Sequence, residues 1–323
     1  MGRRLPAYVE TRIHEWIDSK EVERIDVIGS YNRAYRVSAR EKRDKLENWQ
    51  RPTATVTSDV LTIHCYPGRA YVFHVASLVA TRLALTGRDP GIVRMAVPDP
   101  ARTGAAIREM DLQQIPVTSS VVVATSNLLL APTDAPWHDG GRFLHRQELD
   151  GVASTWLAIK HSFWGDIAFH LGRELVALGF QRVVFVGKLG SLVPGHTPNT
   201  TLASGATSSI DGEMLEWDNL FEDFEGVEFG HHVTLPSVLQ ETLAWRRDVQ
   251  PVGTAFVDPE IGHFAAGVTS AGGHFSYLHI VSDNLRIEYP EDLTTERQED
   301  VLVKRQESFR RAADMLRSVL NRA

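Results

Sequence analysis

Gln181-Arg-Val-Val-Phe-Val-Gly-Lys-Leu-Gly-Ser191 runs from an unbroken apolar stretch into a pair of glycines. Residues 183–186 are apolar without polar alternation, the pattern of a strand buried on both faces in a parallel sheet. Gly187, Lys188 and Gly190 follow at a spacing that fits neither a Walker loop nor a dinucleotide fingerprint. A glycine turn at the carboxyl end of such a strand still presents backbone N–H groups to an anion. Open α/β sheets bind their ligands at those ends. A plain strand-to-loop turn is the alternative.

The same strand-then-helix grammar extends in both directions. Ser119–Ala124 and Trp156–Lys160 read as strands, and Gly165 to Leu178 reads as a helix ended by Gly179. Leu278–Val281 is a further strand, and a helix from about Thr295 to Leu320 closes the chain. Upstream, Val60–Tyr66 is a strand punctuated by Pro67-Gly68, and Ala70–Leu85 is a helix ending at Gly87. A short strand at Met95–Val97 and a helix at Ala101–Met110 follow. The first 50 residues are charged and helix-like, with Ser38–Trp49 read as a polar surface helix. Strands alternating with helices predict an α/β fold with a mixed, mainly parallel central sheet flanked by helices. One internal echo stands out. Ile63-His64, Gly68 and Phe73-His74 resemble Ile159, His161, Gly165 and Phe169-His170, as two βα units would.

At 323 residues, 43% hydrophobic and 23% charged, the chain has enough apolar material for about two domains or one large one. Disorder as the main state is excluded. A single cysteine, Cys65, rules out a disulfide framework within the chain and any zinc site needing two thiolates. Its apolar strand makes it a small core residue rather than a nucleophile. The net charge of −7 argues against a nucleic-acid partner held through phosphates. No apolar run is long enough to span a membrane, and no signal-peptide segment follows the basic Met1–Pro6. The expected compartment is the cytoplasm.

Two carboxylates stand where α/β enzymes place reactive groups. Glu260 lies in Phe256-Val-Asp-Pro-Glu260, at the start of an Ala- and Gly-rich helix from Ile261 to Ala271. A carboxylate there can accept two hydroxyls of a vicinal diol, or simply cap the helix, which is its commoner role. Asp283 ends the apolar strand in Val281-Ser-Asp-Asn-Leu-Arg286, where aspartate is also an ordinary turn residue. His231-His232, His274 and His279 form no metal-ligand spacing, and no Gly-x-Ser-x-Gly elbow occurs. No metal and no cofactor are expected.

In order along the chain, Val186-Gly-Lys-Leu-Gly-Ser-Leu192, Leu235-Pro-Ser-Val-Leu239, Val257-Asp-Pro-Glu260 and Ile280-Val-Ser-Asp283 resemble the nucleoside phosphorylase superfamily. That superfamily includes purine nucleoside and uridine phosphorylases and the methylthioadenosine/adenosylhomocysteine nucleosidases. The closing segment, Lys304-Arg-Gln-Glu-Ser-Phe309 to Met315–Leu320, is similar to the last helix of hexameric purine nucleoside phosphorylases. The resemblance covers about Ser119 to Ala323. It divides the chain into an N-terminal α/β extension, residues 1–118, and a nucleoside phosphorylase-like domain, residues 119–323.

The resemblance implies roles. Glu260 would grip the ribose 2′- and 3′-hydroxyls, with Pro259 and Ser282 among the substrate contacts. Asp283 would protonate N7 of the purine, assisted by Arg305, for which Arg297 is a competitor. Gly187, Lys188 and Gly190 would hold inorganic phosphate as co-substrate. The implied activity is N-glycosidic cleavage of a purine-type nucleoside by phosphorolysis. A hydrolytic nucleosidase, or a nucleoside-binding sensor with a lost phosphate site, is the alternative. An acid at N7 neutralises the departing base, and a carboxylate on the sugar hydroxyls steadies the cationic sugar.

The chain departs from the pattern at three places. Phe185 and Lys188 stand where phosphorylases carry an arginine and a serine. Thr125-Ser-Asn127 replaces the usual Pro-Gly-Asp-Pro loop. No glutamate follows the first strand to activate water, Asp134 being the nearest carboxylate. Trp16, Tyr31, Tyr35 and Trp49 in a charged stretch suit a lid or an interface, and a homo-oligomer is expected.

Overall fold

The Gln181–Ser191 stretch forms a longer strand than its apolar run predicts. In the computed structural model, which describes residues 4–40, 51–125, 136–149, 152–222, 224–250, 252–295 and 298–321, Arg182–Ser191 is one continuous strand. The expected glycine turn is therefore strand. Gly187 is glycine because a Cβ there would lie 2.7 Å from Nε2 of His279 on the neighbouring strand. A register irregularity between Leu189 and Gly190 marks where the strand bends.

On one edge this strand pairs in parallel with His274–Asn284 along its whole length. On its other edge it pairs with Ser120–Thr125 only as far as Phe185. Pairing on that edge resumes with antiparallel Thr254–Asp258 at Gly190 and Ser191. Between the two partners, residues 186–189 face a gap in the sheet. Among the described residues this mixed sheet has twelve strands, and Ser154–Ile159 and His231–Thr234 extend it in parallel.

Before residue 119 a separate five-stranded sheet forms, in the order Arg36–Val37, Thr53–Thr57, Val60–His64, Arg24–Ile28, Val93–Ala96. Residues 4–40 are thus not mainly helical. Leu5–Glu10 and Trp16–Ser19 are short helices, and Ile25 and Val27 alternate with exposed or half-buried neighbours in a strand. Ser38–Arg40 are not helical, and the remainder of the expected polar helix lies outside the described residues.

The two halves of the internal echo touch. Helix Arg69–Leu85 and helix Asp166–Ala177 start against each other. A Cβ on Gly68 would strike the Ile167 side chain at 2.4 Å, and one on Gly165 would strike Ala70 Cβ at 2.3 Å. The Asp166 carboxylate accepts from the backbone N–H groups of Arg69 and Ala70, both at 2.9 Å. It thereby satisfies donors at the start of the other helix. One hydrophobic cluster runs from Tyr8 to Val281 through this junction, with Cys65 buried inside it.

The closing helix, Glu299–Leu320, seats Phe309, Ala312, Leu316 and Leu320 on a second cluster around Trp156. Arg146 is fully buried there, with Nη2 2.8 Å from Glu148 Oε1 and its guanidinium between Trp137 and Trp156. Arg317 of the helix grips the same carboxylate through two bonds of 2.8 and 2.9 Å. No helix among the described residues is long and apolar enough to cross a membrane.

Candidate active site

The gap beside residues 186–189 opens into a cavity of about 240 Å³. Its floor is the sheet. Gly187, Lys188 and Gly190 line it from the central strand, Pro259 and Glu260 from the end of Thr254–Asp258, and Ser282 and Asp283 from His274–Asn284. Seven of the eight residues singled out by sequence thus meet at one place, where the central strand loses a parallel partner and gains an antiparallel one.

Asp283 is buried, and burial pushes its carboxyl above the usual aspartate range, opposed by Ser282 and Lys188. Ser282 Oγ lies 2.7 Å from Asp283 Oδ1 and 3.1 Å from the Leu189 carbonyl. Its single proton serves one acceptor at a time. Directed to Asp283, it stabilises the carboxylate left after proton transfer.

Capping of helix Ile261–Ser270 falls to Asp258 rather than Glu260. Asp258 Oδ1 accepts from the N–H groups of Glu260 and Ile261, both at 2.9 Å, whereas Glu260 makes no side-chain cap bond. His232 Nε2 lies 3.1 Å from Asp258 Oδ1, and His279 Nε2 lies 3.7 Å from its Oδ2. Burial would raise the Asp258 carboxyl, but these two histidines outweigh it and hold the group low. His232 and His279 thus brace the glutamate's strand. Among the described residues no cluster of histidine, cysteine and carboxylate side chains is arranged to hold a metal ion.

Arg305 is placed differently. It is buried and does not line the cavity. Its Nε and Nη2 donate to Asn199 Oδ1 at 3.0 and 2.9 Å. Asn199, in the left-handed region at φ 63°, donates its backbone N–H to the Val281 carbonyl at 2.7 Å. Asn199 therefore links Arg305 to the Asp283 strand. Arg297, Ser126, Asn127 and Asp134 lie outside the described residues. Phe185 packs edge-on against Phe163 at 5.3 Å and His279 at 4.5 Å, forming an aromatic cluster.

Three solved structures are similar to this fold. A futalosine hydrolase mutant of Helicobacter pylori matches with a TM-score of 0.48 and 14% identity, over 64% of this chain and 100% of that one. A methylthioadenosine/adenosylhomocysteine nucleosidase from Colwellia psychrerythraea, solved with adenine, matches at 0.48 and 15% identity, over 63% and 96%. An adenosylhomocysteine nucleosidase from Streptococcus pyogenes matches at 0.46 and 14%, over 63% and 95%. Among curated proteins, an oxidoreductase, cns1, of Cordyceps militaris is 24% identical over 130 residues. That stretch is 37% of this chain and 16% of the length of the relative. No protein-family model matches the chain.

The structure adds residues that no sequence signal marked. Glu241 lines the cavity, with its carboxyl raised well above the ordinary glutamate value by burial and by nearby Asp283. It follows the short turn Val238–Gln240, which has no periodic pattern to read. Tyr8, Arg12, Arg51, Tyr71 and His74 close the cavity from the first 118 residues.

Proposed function

We propose that this chain cleaves the N-glycosidic bond of a purine-type nucleoside, with water as the acceptor. The observation that carries the reading is the meeting of Asp283 and Glu260 in one cavity. Asp283, whose carboxyl is raised by burial, donates its proton to the departing base, and Ser282 steadies the carboxylate that results. Glu260 orients the sugar hydroxyls and offsets the positive charge that develops on the sugar. Water supplies the hydroxyl that ends on the sugar carbon, and its remaining proton restores Asp283. The products are free base and free sugar.

Water is favoured over phosphate because Glu241, Glu260 and Asp283 share the cavity while Phe185 stands where the resemblance puts the phosphorylase arginine. Phosphorolysis is the second reading, carried by Lys188, which supplies a point charge but no bidentate fork. A panel of nucleosides incubated with and without inorganic phosphate tests both, with free base and sugar products resolved by chromatography. Base release without phosphate is the expected result. Release only with phosphate, giving a sugar 1-phosphate, replaces water by phosphate as acceptor. Bound but uncleaved nucleosides across the panel overturn the reading.

A further inference from the structure

The Phe73-His74 half of the internal echo carries a histidine that the cleavage chemistry leaves without a task. His74 lies on helix Arg69–Leu85, one turn after Ala70. With Tyr71, Val75 and Leu78 it forms the stripe of that helix that lines the cavity. His170, its counterpart in the other half of the echo, does not line it.

Two routes of contact put His74 beside the segment that carries Glu260. A Cβ on Gly165 would lie 2.3 Å from Ala70 Cβ and 3.9 Å from the Pro259 carbonyl, so the start of the helix abuts the residue before Glu260. His74 Nδ1 lies 2.8 Å from Ser237 Oγ. Two residues before Ser237, the Leu235 backbone N–H donates to the Asp258 carbonyl at 3.0 Å.

The hydrogen bonds decide which ring nitrogen carries the proton. Ser237 is fully buried, and its Oγ already accepts from the Leu239 backbone N–H at 3.2 Å. Among the described residues, His74 Nδ1 is the acceptor within reach of the Ser237 hydroxyl proton, and a buried hydroxyl left without one is costly. Ser237 therefore donates to Nδ1, which assigns the proton of the neutral ring to Nε2. Burial, seconded by Arg12 and Arg51, drives His74 down to about 3, so the ring is neutral. Nε2 has no hydrogen-bond partner among the described residues and, unlike Nε2 of His279, is not sealed in. The ring is 96% buried and stacked on Trp164 at 4.3 Å, whose Nε1 is anchored on the Pro236 carbonyl at 2.9 Å.

We infer that His74 is a substrate-recognition residue whose Nε2–H donates to the 5′-oxygen of the sugar, so that nucleosides with a 5′-hydroxyl are preferred over 5′-deoxy and 5′-alkylthio ones. The inference rests on the glycosidic-cleavage reading for the placement of the sugar at Glu260. Glu260 is an acceptor and takes protons from the 2′- and 3′-hydroxyls, whereas His74 is a donor and needs an oxygen lone pair. The ring oxygen gives up electron density as the sugar turns cationic. That leaves the 5′-oxygen as the sugar acceptor that lasts through the reaction. A site built around such a donor rejects an analogue without the acceptor, because the buried N–H is then unpaired.

The test uses the full chain carrying Asp283→Asn to hold ligands uncleaved, with calorimetry on adenosine, 5′-deoxyadenosine and 5′-methylthioadenosine. Adenosine is expected to bind roughly tenfold or more tighter than either analogue. Adding His74→Phe, which keeps a ring against Trp164 and removes the donor, should abolish that preference by weakening adenosine. His74→Gln, which keeps an N–H donor, should retain part of it. Circular dichroism reports whether each variant folds. Imidazole nitrogen NMR on the parent chain needs no variant to fold, and it should show His74 as the neutral Nε2–H tautomer.

Equal affinity for adenosine and 5′-deoxyadenosine overturns the inference, as does a preference that survives His74→Phe or a ring protonated at Nδ1. Tighter binding of 5′-methylthioadenosine than of adenosine also overturns it, by assigning this wall to an apolar substituent. A His74-dependent preference for the 5′-hydroxyl in a wild-type chain that releases no base leaves the recognition standing and removes only the glycosidic reading.

Discussion

The five-stranded sheet and its helices bring Arg12, Arg51, Tyr8, Tyr71 and His74 to the cavity, whereas the twelve-stranded sheet brings Asp283, Glu260, Asp258 and Lys188. The first set is cationic and aromatic and sits on helices and loops. The second is dominated by carboxyls and sits on or beside strand ends. Strand ends fix side chains by two edges of backbone pairing, which suits groups that must meet reacting atoms. Helices and loops packed over them suit enclosure and recognition of the rest of the ligand. If this division is sound, substitutions on the two sides should fail in different ways.

The largest effect is expected at Asp283. Asp283→Asn should lower turnover by about 10²–10⁴-fold, the usual range for general-acid help, as read from kcat/KM. Because its folded pKa is raised, the stability it contributes is present below its unfolded pKa and is lost as pH rises through the folded value. The variant should therefore unfold at the same or a higher temperature near neutral pH. Activity of the parent should fall as pH rises through the same raised pKa. A variant with full turnover would break the assignment of chemistry to the strand ends.

Next comes a control far from the cavity. Glu148→Gln removes the carboxylate shared by Arg146 and Arg317 and strands a fully buried guanidinium. A loss of about 3–5 kcal/mol is expected, measured by denaturant unfolding. Rates per folded molecule should be unchanged. Glu260→Gln should cost about 1.5–3 kcal/mol in hydroxyl recognition, or roughly 10- to 100-fold in kcat/KM, with little change in unfolding.

The junction between the two regions is tested by Gly68→Ala. The added methyl meets fully buried Ile167, so a loss of about 1–3 kcal/mol is expected. KM should rise with it, because helix Arg69–Leu85 carries Tyr71 and His74 into the cavity. An unchanged KM would show that the two regions do not share the site. The smallest effect is expected from Ser237→Ala, about 1 kcal/mol from the lost bond to His74. His74 is neutral down to about 3, so the stability tied to its low pKa is present above its unfolded value. That stability is lost as pH falls from about 6.5 toward 3.

Much of the strand and helix order was legible. Ser119–Ala124, Trp156–Lys160 and Gly165–Leu178 differ from the observed elements by only a few residues at their ends, because long apolar runs and glycine stops leave little choice. The extent of two strands was not. Gly187 and Gly190 read as a turn, and Ser282 and Asp283 as a strand's aftermath, yet all four lie within strands. Their strand pairing comes from residues about 90 positions away, which no local pattern encodes. Arg24–Ile28 was hidden for another reason: charged residues flank an apolar pair too short to show a period. Glu241, Arg12 and Arg51 carried no signal at all, since cavity walls are assembled from segments unrelated in sequence.

The sequence by itself determined that this is an α/β chain and that Glu260 and Asp283 stand at the end of a strand or just past it. Apolar periodicity, turn residues and motif order are local properties, and they survive without knowledge of contacts. Only the tertiary structure decided that Asp258 takes over the helix cap from Glu260, that Asn199 links Arg305 to the Asp283 strand, and that the first 118 residues close the cavity. Those outcomes depend on which side chain arrives within hydrogen-bonding distance of which backbone group. That is settled by packing across the whole chain.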